Sequence, residues 1–112
     1  METLISWDDF EKVDIRVGTI LEATEFPRAK KPAYQLTIDF GPLGIRRSSA
    51  QITKHYTTES LKVEQVIAVV NFPPKNIAGF QSECLVLGIY DDQNAVVLLE
   101  PKKAVPNGLK IG

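Results

Sequence analysis

Cysteine, histidine and tryptophan each occur once in this chain, at Cys84, His55 and Trp7. A lone cysteine excludes an internal disulfide and fits a reducing compartment. With one histidine and one cysteine there is no Cys/His cluster to hold zinc, and the glycines form no phosphate-cradling loop. Long hydrophobic runs are also missing. No uncharged apolar stretch is longer than residues 66–70, far below the roughly 20 residues that a membrane helix needs. The opening "METLISWDDFEK" lacks a basic segment followed by an apolar one, so no secretory signal is expected. A basic excess is absent too: 13 Lys and Arg stand against 14 Asp and Glu, a formal charge of -1. Proteins that wrap duplex nucleic acid by counterion release usually carry a clear positive excess. Any nucleic-acid contact must therefore come from a local patch. These absences lead us to expect a cytoplasmic protein without membrane insertion.

What remains is a chain of 112 residues, 44% hydrophobic and 24% charged, which is the size and composition of one globular domain, residues 1–112. "SWDDFEKV" reads as a helical turn capped by Ser6, with Asp8 and Asp9 where the helix dipole favours them. Trp7 and Phe10 share a face and are expected to cover one end of the core. "VDIRVG" alternates, with Val13, Ile15 and Val17 on one face, and Asp14 and Arg16 are expected to pair on the other. The alternation slips at Gly18, which suggests a bulge in a long, bent strand. "FPRAKKPA" is a turn, "YQLTIDF" alternates cleanly, and "GPLG" connects to "IRRSSAQI". Thr57 or Thr58 can cap a short helix, "VIAVVN" reads as a strand covered on both faces, and "CLVLGIY" and "AVVLLE" follow. The tail carries two apolar anchors, Val105 and Leu109. Three strands, a short helix and further strands make an all-β, five-stranded Greek-key barrel of the OB-fold type, with the helix between strands 3 and 4. A sandwich is the rival. The expected core is Val13, Ile15, Val17, Leu36, Ile38, Val66, Ile67, Val69, Leu85, Leu87, Val97 and Leu99.

OB barrels receive ligands across strands 2 and 3, between the loops joining strands 1–2 and 4–5. The first loop carries Arg28, Lys30 and Lys31. The second, "NFPPKNIAGFQSECL", carries Lys75, with Pro73 and Pro74 stiffening it and Ile77 and Phe80 pinning it. Its exposed edge is expected to be Lys75, Gln81, Ser82 and Glu83. Strand 3 brings Arg46 and Arg47, Ser48, Ser49 and Gln51, with Lys54 and His55 just beyond. Adjacent strand residues point to opposite faces, so only one of Arg46 and Arg47 joins a given face. The small residues Ser48, Ser49 and Ala50 suit either a closely packed strand edge or a shallow groove. Phe26, Tyr34, Tyr56, Phe72 and Phe80 are the candidates for base stacking. Catalysis has little to work with. His55 has no partner at a recognisable spacing and reads as a surface residue. Cys84 opens an apolar strand and reads as a buried, inert thiol. Asp91 and Asp92 read as a turn.

Residues 14–23 ("DIRVGTILEA"), residues 71–88 ("NFPPKNIAGFQSECLVLG") and the ending "LLEPKKAVPNGLKIG" resemble a tRNA-binding OB domain. That domain is shared by stand-alone tRNA-binding proteins, the C-terminal extension of bacterial methionyl-tRNA synthetases and the EMAP-II group. With "SAQIT" and "HYTTESL" included, the chain is most similar to the bacterial CsaA subgroup. The resemblance implies a homodimer without catalytic activity or cofactor. It implies a chaperone with export-related activity, binding unfolded or precursor polypeptides and a SecA-type translocation ATPase. It implies tRNA as a further ligand or, alternatively, as the main one through phosphate contacts. Arg16, Lys75, Gly79 and Ser82 stand at the family's motif positions, and Ser49, Gln51, Arg28, Lys30 and Lys31 on the face that relatives use for RNA. The expected RNA- or peptide-binding set is therefore Arg28, Lys30, Lys31, Arg46, Ser49, Gln51, Lys75, Gln81 and Ser82, with no catalytic or metal residues.

Overall fold

The computed structural model describes residues 3–112. In chain order the elements are α1 (Trp7–Glu11), β1 (Ile15–Glu25), β2 (Tyr34–Asp39), β3 (Ile45–Ala50), α2 (Thr58–Leu61), β4 (Gln65–Val69), β5 (Lys75–Ile77), β6 (Phe80–Ser82), β7 (Leu85–Val86), β8 (Gly88–Tyr90) and β9 (Val96–Leu98). A 5-stranded antiparallel sheet runs β3-β2-β1-β4-β7, and β5-β6 and β8-β9 are separate hairpins. The sheet curls until β3 meets the segment before β7. The Glu83 N–H donates to the Arg47 carbonyl at 2.7 Å, and Ser48 Oγ donates to the Cys84 carbonyl at 3.0 Å. That near closure makes an OB-fold barrel, not a sandwich. Helix α2 lies between β3 and β4, as the sequence predicts. Ser6 caps α1 and Thr57 caps α2, each in a reciprocal capping box.

Ile20, Leu36, Ile38, Phe40, Leu61 and Val66 fill the barrel. The bend in β1 is not made by Gly18. The register skips Leu21, between Ile20 opposite Ile38 and Glu22 opposite Thr37. Gly18 serves close approach instead: a Cβ there would lie 2.6 Å from Ile38 Cγ2 and 2.7 Å from the Phe40 ring. Val17, Leu36, Ile38, Val66, Ile67 and Val69 are buried as expected, whereas Val13, Leu85 and Val97 are exposed. Cys84, Val86, Val96 and Leu98 face the core in place of Leu85, Leu87, Val97 and Leu99. In "CLVLG" and "AVVLLE" consecutive residues are apolar, so alternation cannot choose the inward phase. Trp7 does not cover the core either; it is 83% exposed, and α1 buries none of its residues.

The tail continues the sheet beside the first half of β1. Val17 N–H donates to the Leu109 carbonyl, and Ile111 N–H to the Ile15 carbonyl. It is held by polar contacts, not by a Leu109 anchor, which is half exposed. Gln65 Nε2 donates to the Val105 carbonyl at 2.7 Å, and Gln65 Oε1 accepts from Val105 N–H at 3.1 Å. No helix among the described residues is long and apolar enough to cross a membrane.

Candidate binding clefts on both sides of the β5–β6 hairpin

The stretch read as a loop between strands 4 and 5 is a hairpin. Lys75, Asn76 and Ile77 pair with Ser82, Gln81 and Phe80. Its two turn residues, Ala78 and Gly79, both have positive φ, 49° and 85°, the geometry that matches the twist of a two-residue hairpin. Asn76 Oδ1 accepts from the Gly79 N–H at 2.9 Å and fixes the turn. Upstream, Asn71 is a latch: its Nδ2 donates to the Lys12 carbonyl and its Oδ1 accepts from the Asp14 N–H. Phe80 is buried against Phe26, with ring centroids 5.4 Å apart, and Ala33 and Ile77 complete this small second core. The hairpin is thereby clamped to the β1–β2 turn.

On one side of the hairpin lies a cleft of about 530 Å³, walled by the end of β3, β5, β7 and β8. Ser49, Gln51, Lys75 and Ser82 of the expected set line it, but most of its wall is apolar: Ile52, Phe72, Ile77, Leu85, Val86 and Val96, with Tyr90 at the rim. Phe72 is 54% and Tyr90 71% exposed, large costs in solvent contact for aromatic side chains without a partner. Lys75 is the one charged side chain in the lining. Ser82, expected on an exposed edge, is buried, and its Oγ accepts from Ser49 N–H at 3.0 Å. A neighbouring cleft of about 490 Å³ shares Gln51, Tyr90 and Val96 and adds Lys31 and Lys54. Beyond the hairpin, a third of about 390 Å³ is lined by Arg28, Gln35, Arg47, Phe80 and Gln81. Lys30 is exposed but lines none of the three.

Arg46 and Arg47 part as strand geometry requires. Arg46 is opposite Ile38 and turns inward, where Nη1 donates to the Val70 carbonyl at 2.5 Å. Arg47 points outward over the Phe80 ring, its Cζ 4.4 Å from the centroid. Of the aromatics considered for stacking, only Phe72 is exposed. Tyr34 is buried and donates to the Tyr56 carbonyl, and Tyr56 Oη accepts from Leu98 N–H. Tyr90 ends the apolar run "CLVLGIY", so only its placement on the β8–β9 hairpin marks it out.

His55 and Asp91 meet at 2.7 Å. Asp91 Oδ1 also accepts from the Gln93 and Ala95 N–H groups. The Ala95 N–H, then the His55 ring, hold the Asp91 carboxyl below the usual range. The pair ties the β3–α2 connection to the β8–β9 turn, whose Asn94 and Ala95 line the cleft of about 490 Å³. Burial pushes the Cys84 thiol up to about 11, far from a reactive thiolate.

The residues that match the family sit in this framework. The pattern described as "Putative tRNA binding domain" matches residues 15–110. The chain belongs to the tRNA-binding domain family. Among solved structures this tRNA-binding-type domain is similar to a chaperone CsaA from Bacillus anthracis str. Ames, at 52% identity and TM-score 0.93, covering 98% of this chain and 100% of that one. It is similar also to a CsaA chaperone protein from Picrophilus torridus, at 51% identity and TM-score 0.91, covering 97% and 100%. A methionine–tRNA ligase of Porphyromonas gingivalis is 37% identical over 107 residues, which is 96% of this chain and 15% of the ligase. The chain thus spans a small part of such ligases and the full length of the CsaA proteins.

The motif arginine of the domain has a local role. Arg16 Nε donates to Asp14 Oδ1 at 2.6 Å and its Nη1 to the Gly108 carbonyl at 3.0 Å, joining β1 to the tail. The Arg16 hydrogen bond holds the Asp14 carboxyl below its ordinary value. A depressed folded-state value means that this contribution to stability is present above the unfolded pKa of about 3.9 and is lost as pH falls through the folded one. Arg16→Leu is expected to return Asp14 to the ordinary carboxylate range in an NMR titration and to remove that part of the acid sensitivity. An unchanged Asp14 titration would show that the pair is not what holds it.

Proposed function

We propose that this chain is a non-catalytic, CsaA-like chaperone that takes extended, apolar segments of unfolded or precursor polypeptides in the cleft beside the β5–β6 hairpin. The observation that carries this reading is the lining: aliphatic and aromatic side chains, with Lys75 the single charge. A long apolar cleft with backbone and hydroxyl groups at its margins suits side chains presented by an extended peptide. A phosphate backbone would find almost nothing there to neutralise it. The full-length likeness to CsaA chaperones supports the same reading. From that likeness we extend the proposal to cytoplasmic work in export, with a SecA-type translocation ATPase as a partner.

Homodimerisation belongs to the proposal. Leu4, Ile5 and Trp7 are exposed at the N-terminal end together with Leu109 of the tail. Lys110 Nζ is 3.9 Å from Glu11 Oε2, so α1 and the tail share one end of the barrel. A two-fold contact would cover this apolar end on both copies at once. Trp7→Glu is therefore expected to give a monomer in sedimentation while wild type sediments as a dimer. A monomeric wild type at micromolar concentration removes this part of the proposal.

A second reading is favoured by the family match: tRNA as ligand, held by phosphate contacts from Arg28, Lys31 and Lys75 at the margins of the clefts and from the exposed Lys30 of the same turn as Arg28. Salt separates the two ligands. Between about 50 and about 200 mM salt, affinity for tRNA should fall steeply, while affinity for a reduced, unfolded polypeptide should change little. Failure of labelled unfolded polypeptide to bind at either salt concentration would remove the chaperone reading. Failure of tRNA to bind at the lower one would remove the second.

A further inference from the structure

The cleft on the far side of the hairpin differs in chemistry from the apolar one. Arg47, Arg28, Gln35 and Gln81 converge on it, and no carboxylate lines it. None of these side chains makes a hydrogen bond with any described residue; the Arg47 hydrogen bonds all run through its backbone. Glu83 follows β6, and its carboxylate is engaged by the Arg47 backbone N–H at 3.0 Å. Glu22 lies two strands away on the same outer row, opposite Thr37, which is opposite Arg47. The Arg47 guanidinium rests on Phe80, which is in turn braced by Phe26. Backing by an aromatic ring holds a planar cation flat and leaves it exposed to a second planar group.

We propose that this cleft is a nucleotide-binding subsite for single-stranded RNA. An unpaired base stacks on Arg47, Gln35 and Gln81 present amides to the base edge, and Arg28 meets the adjoining phosphate. Unstacked bases are taken up by proteins in this way, on aromatic or guanidinium planes with amides reading their edges. The subsite deepens the tRNA reading and rests on it. It is separated from the apolar cleft by the hairpin, so RNA and polypeptide occupy opposite sides of one wall.

The test uses tRNA, a short single-stranded oligoribonucleotide, a phosphorylated peptide and an unfolded polypeptide as probes for wild type, Arg47→Lys and Arg28→Gln. Arg47→Lys keeps the charge and the aliphatic cover of Phe80 but loses the plane. It is expected to weaken the oligoribonucleotide and tRNA by about tenfold, the order of one lost stack, without changing the salt slope. Arg28→Gln is expected to reduce that slope by about 0.7, one phosphate contact on a single strand. Polypeptide binding should be unchanged in both, and matching thermal melting curves would show that both variants fold. If wild type binds tRNA but Arg47→Lys binds it equally well, the subsite is overturned and the tRNA reading stands. If the phosphorylated peptide binds and loses affinity with Arg47→Lys while the oligoribonucleotide does not, the cleft reads a protein ligand and the proposal is overturned. If wild type binds no tRNA at low salt, both the subsite and the tRNA reading fall.

Discussion

Phe40→Ala is expected to destabilise the barrel by about 3–5 kcal/mol, the range for deleting a buried aromatic side chain. Small domains are stable by only about 5–15 kcal/mol, so this one change removes a large share. Phe40 is fully buried, and its ring fills the space that Gly18 leaves by having no side chain. Its carbonyl is also beside Gly108, where a Cβ would approach to 2.5 Å. Phe40 therefore meets β1 through its ring and the tail through its carbonyl. Gly18→Ala alone forces a methyl against Ile38 and Phe40, and overpacking of that kind costs about 1–3 kcal/mol. Phe40→Ala removes the ring contacts of the added methyl and leaves the one to Ile38, so the double variant should be more stable than the sum of the two losses predicts. Urea denaturation of the three variants measures this coupling. Strict additivity would contradict the packing described for Gly18.

Phe72→Ala combined with Tyr90→Ala is expected to weaken binding of an unfolded polypeptide by at least about thirtyfold while leaving stability within about 0.5 kcal/mol. Truncating an aromatic hot spot costs about 2 kcal/mol or more. Both rings are largely exposed, so the folded state loses little packing when they are removed. Both line the apolar cleft, one from the segment before β5 and the other from the end of β8. A chain segment between them would touch both. Binding of tRNA should survive the same pair of substitutions, because the cationic cleft lies beyond the hairpin. Fluorescence anisotropy with each labelled ligand reads both effects. Equal weakening of the two ligands would mean that they share the apolar cleft.

The fold was legible where the sequence alternates or changes period. "YQLTIDF" has one reading, and Tyr34, Leu36, Ile38 and Phe40 are all buried as it demands. Ser6 and Thr57 announce their helices through capping chemistry that acts over three residues. The later strands were not legible in phase, because Val96, Val97, Leu98 and Leu99 offer apolar groups to either face. Their inward set is chosen by how the β8–β9 hairpin packs on the barrel core, which no local pattern records. The same holds at Gly18, where the contacts that require glycine are made by Ile38 of the next strand and Phe40 just past its end.

The site divides along the same line. Arg28, Lys31, Gln51, Lys75 and Gln81 stand at the mouths of clefts, in the neighbourhood that loop positions suggest for them. That Arg47, not Arg46, faces outward depends on which side of β3 meets the core, and Ile38 decides it. The two prolines and the Ala78-Gly79 turn look like loop punctuation, yet three residues on each side of that turn pair to make a short hairpin. A hairpin is a stiffer wall than a loop, with one face apolar and the other beside Arg47. This division into two unlike clefts was not visible until the hairpin was seen to stand between them.

The central claim is that extended polypeptide occupies the apolar cleft. Its most direct measurement is an amide-resolved NMR titration with an unlabelled, extended apolar peptide. The account predicts shifts at residues 49–52, 72–77 and 85–86 and at Tyr90 and Val96, with Arg28, Gln35, Arg47 and Gln81 unmoved. Shifts confined to the Arg28 and Arg47 cleft, or to the exposed end formed by α1 and the tail, would contradict it.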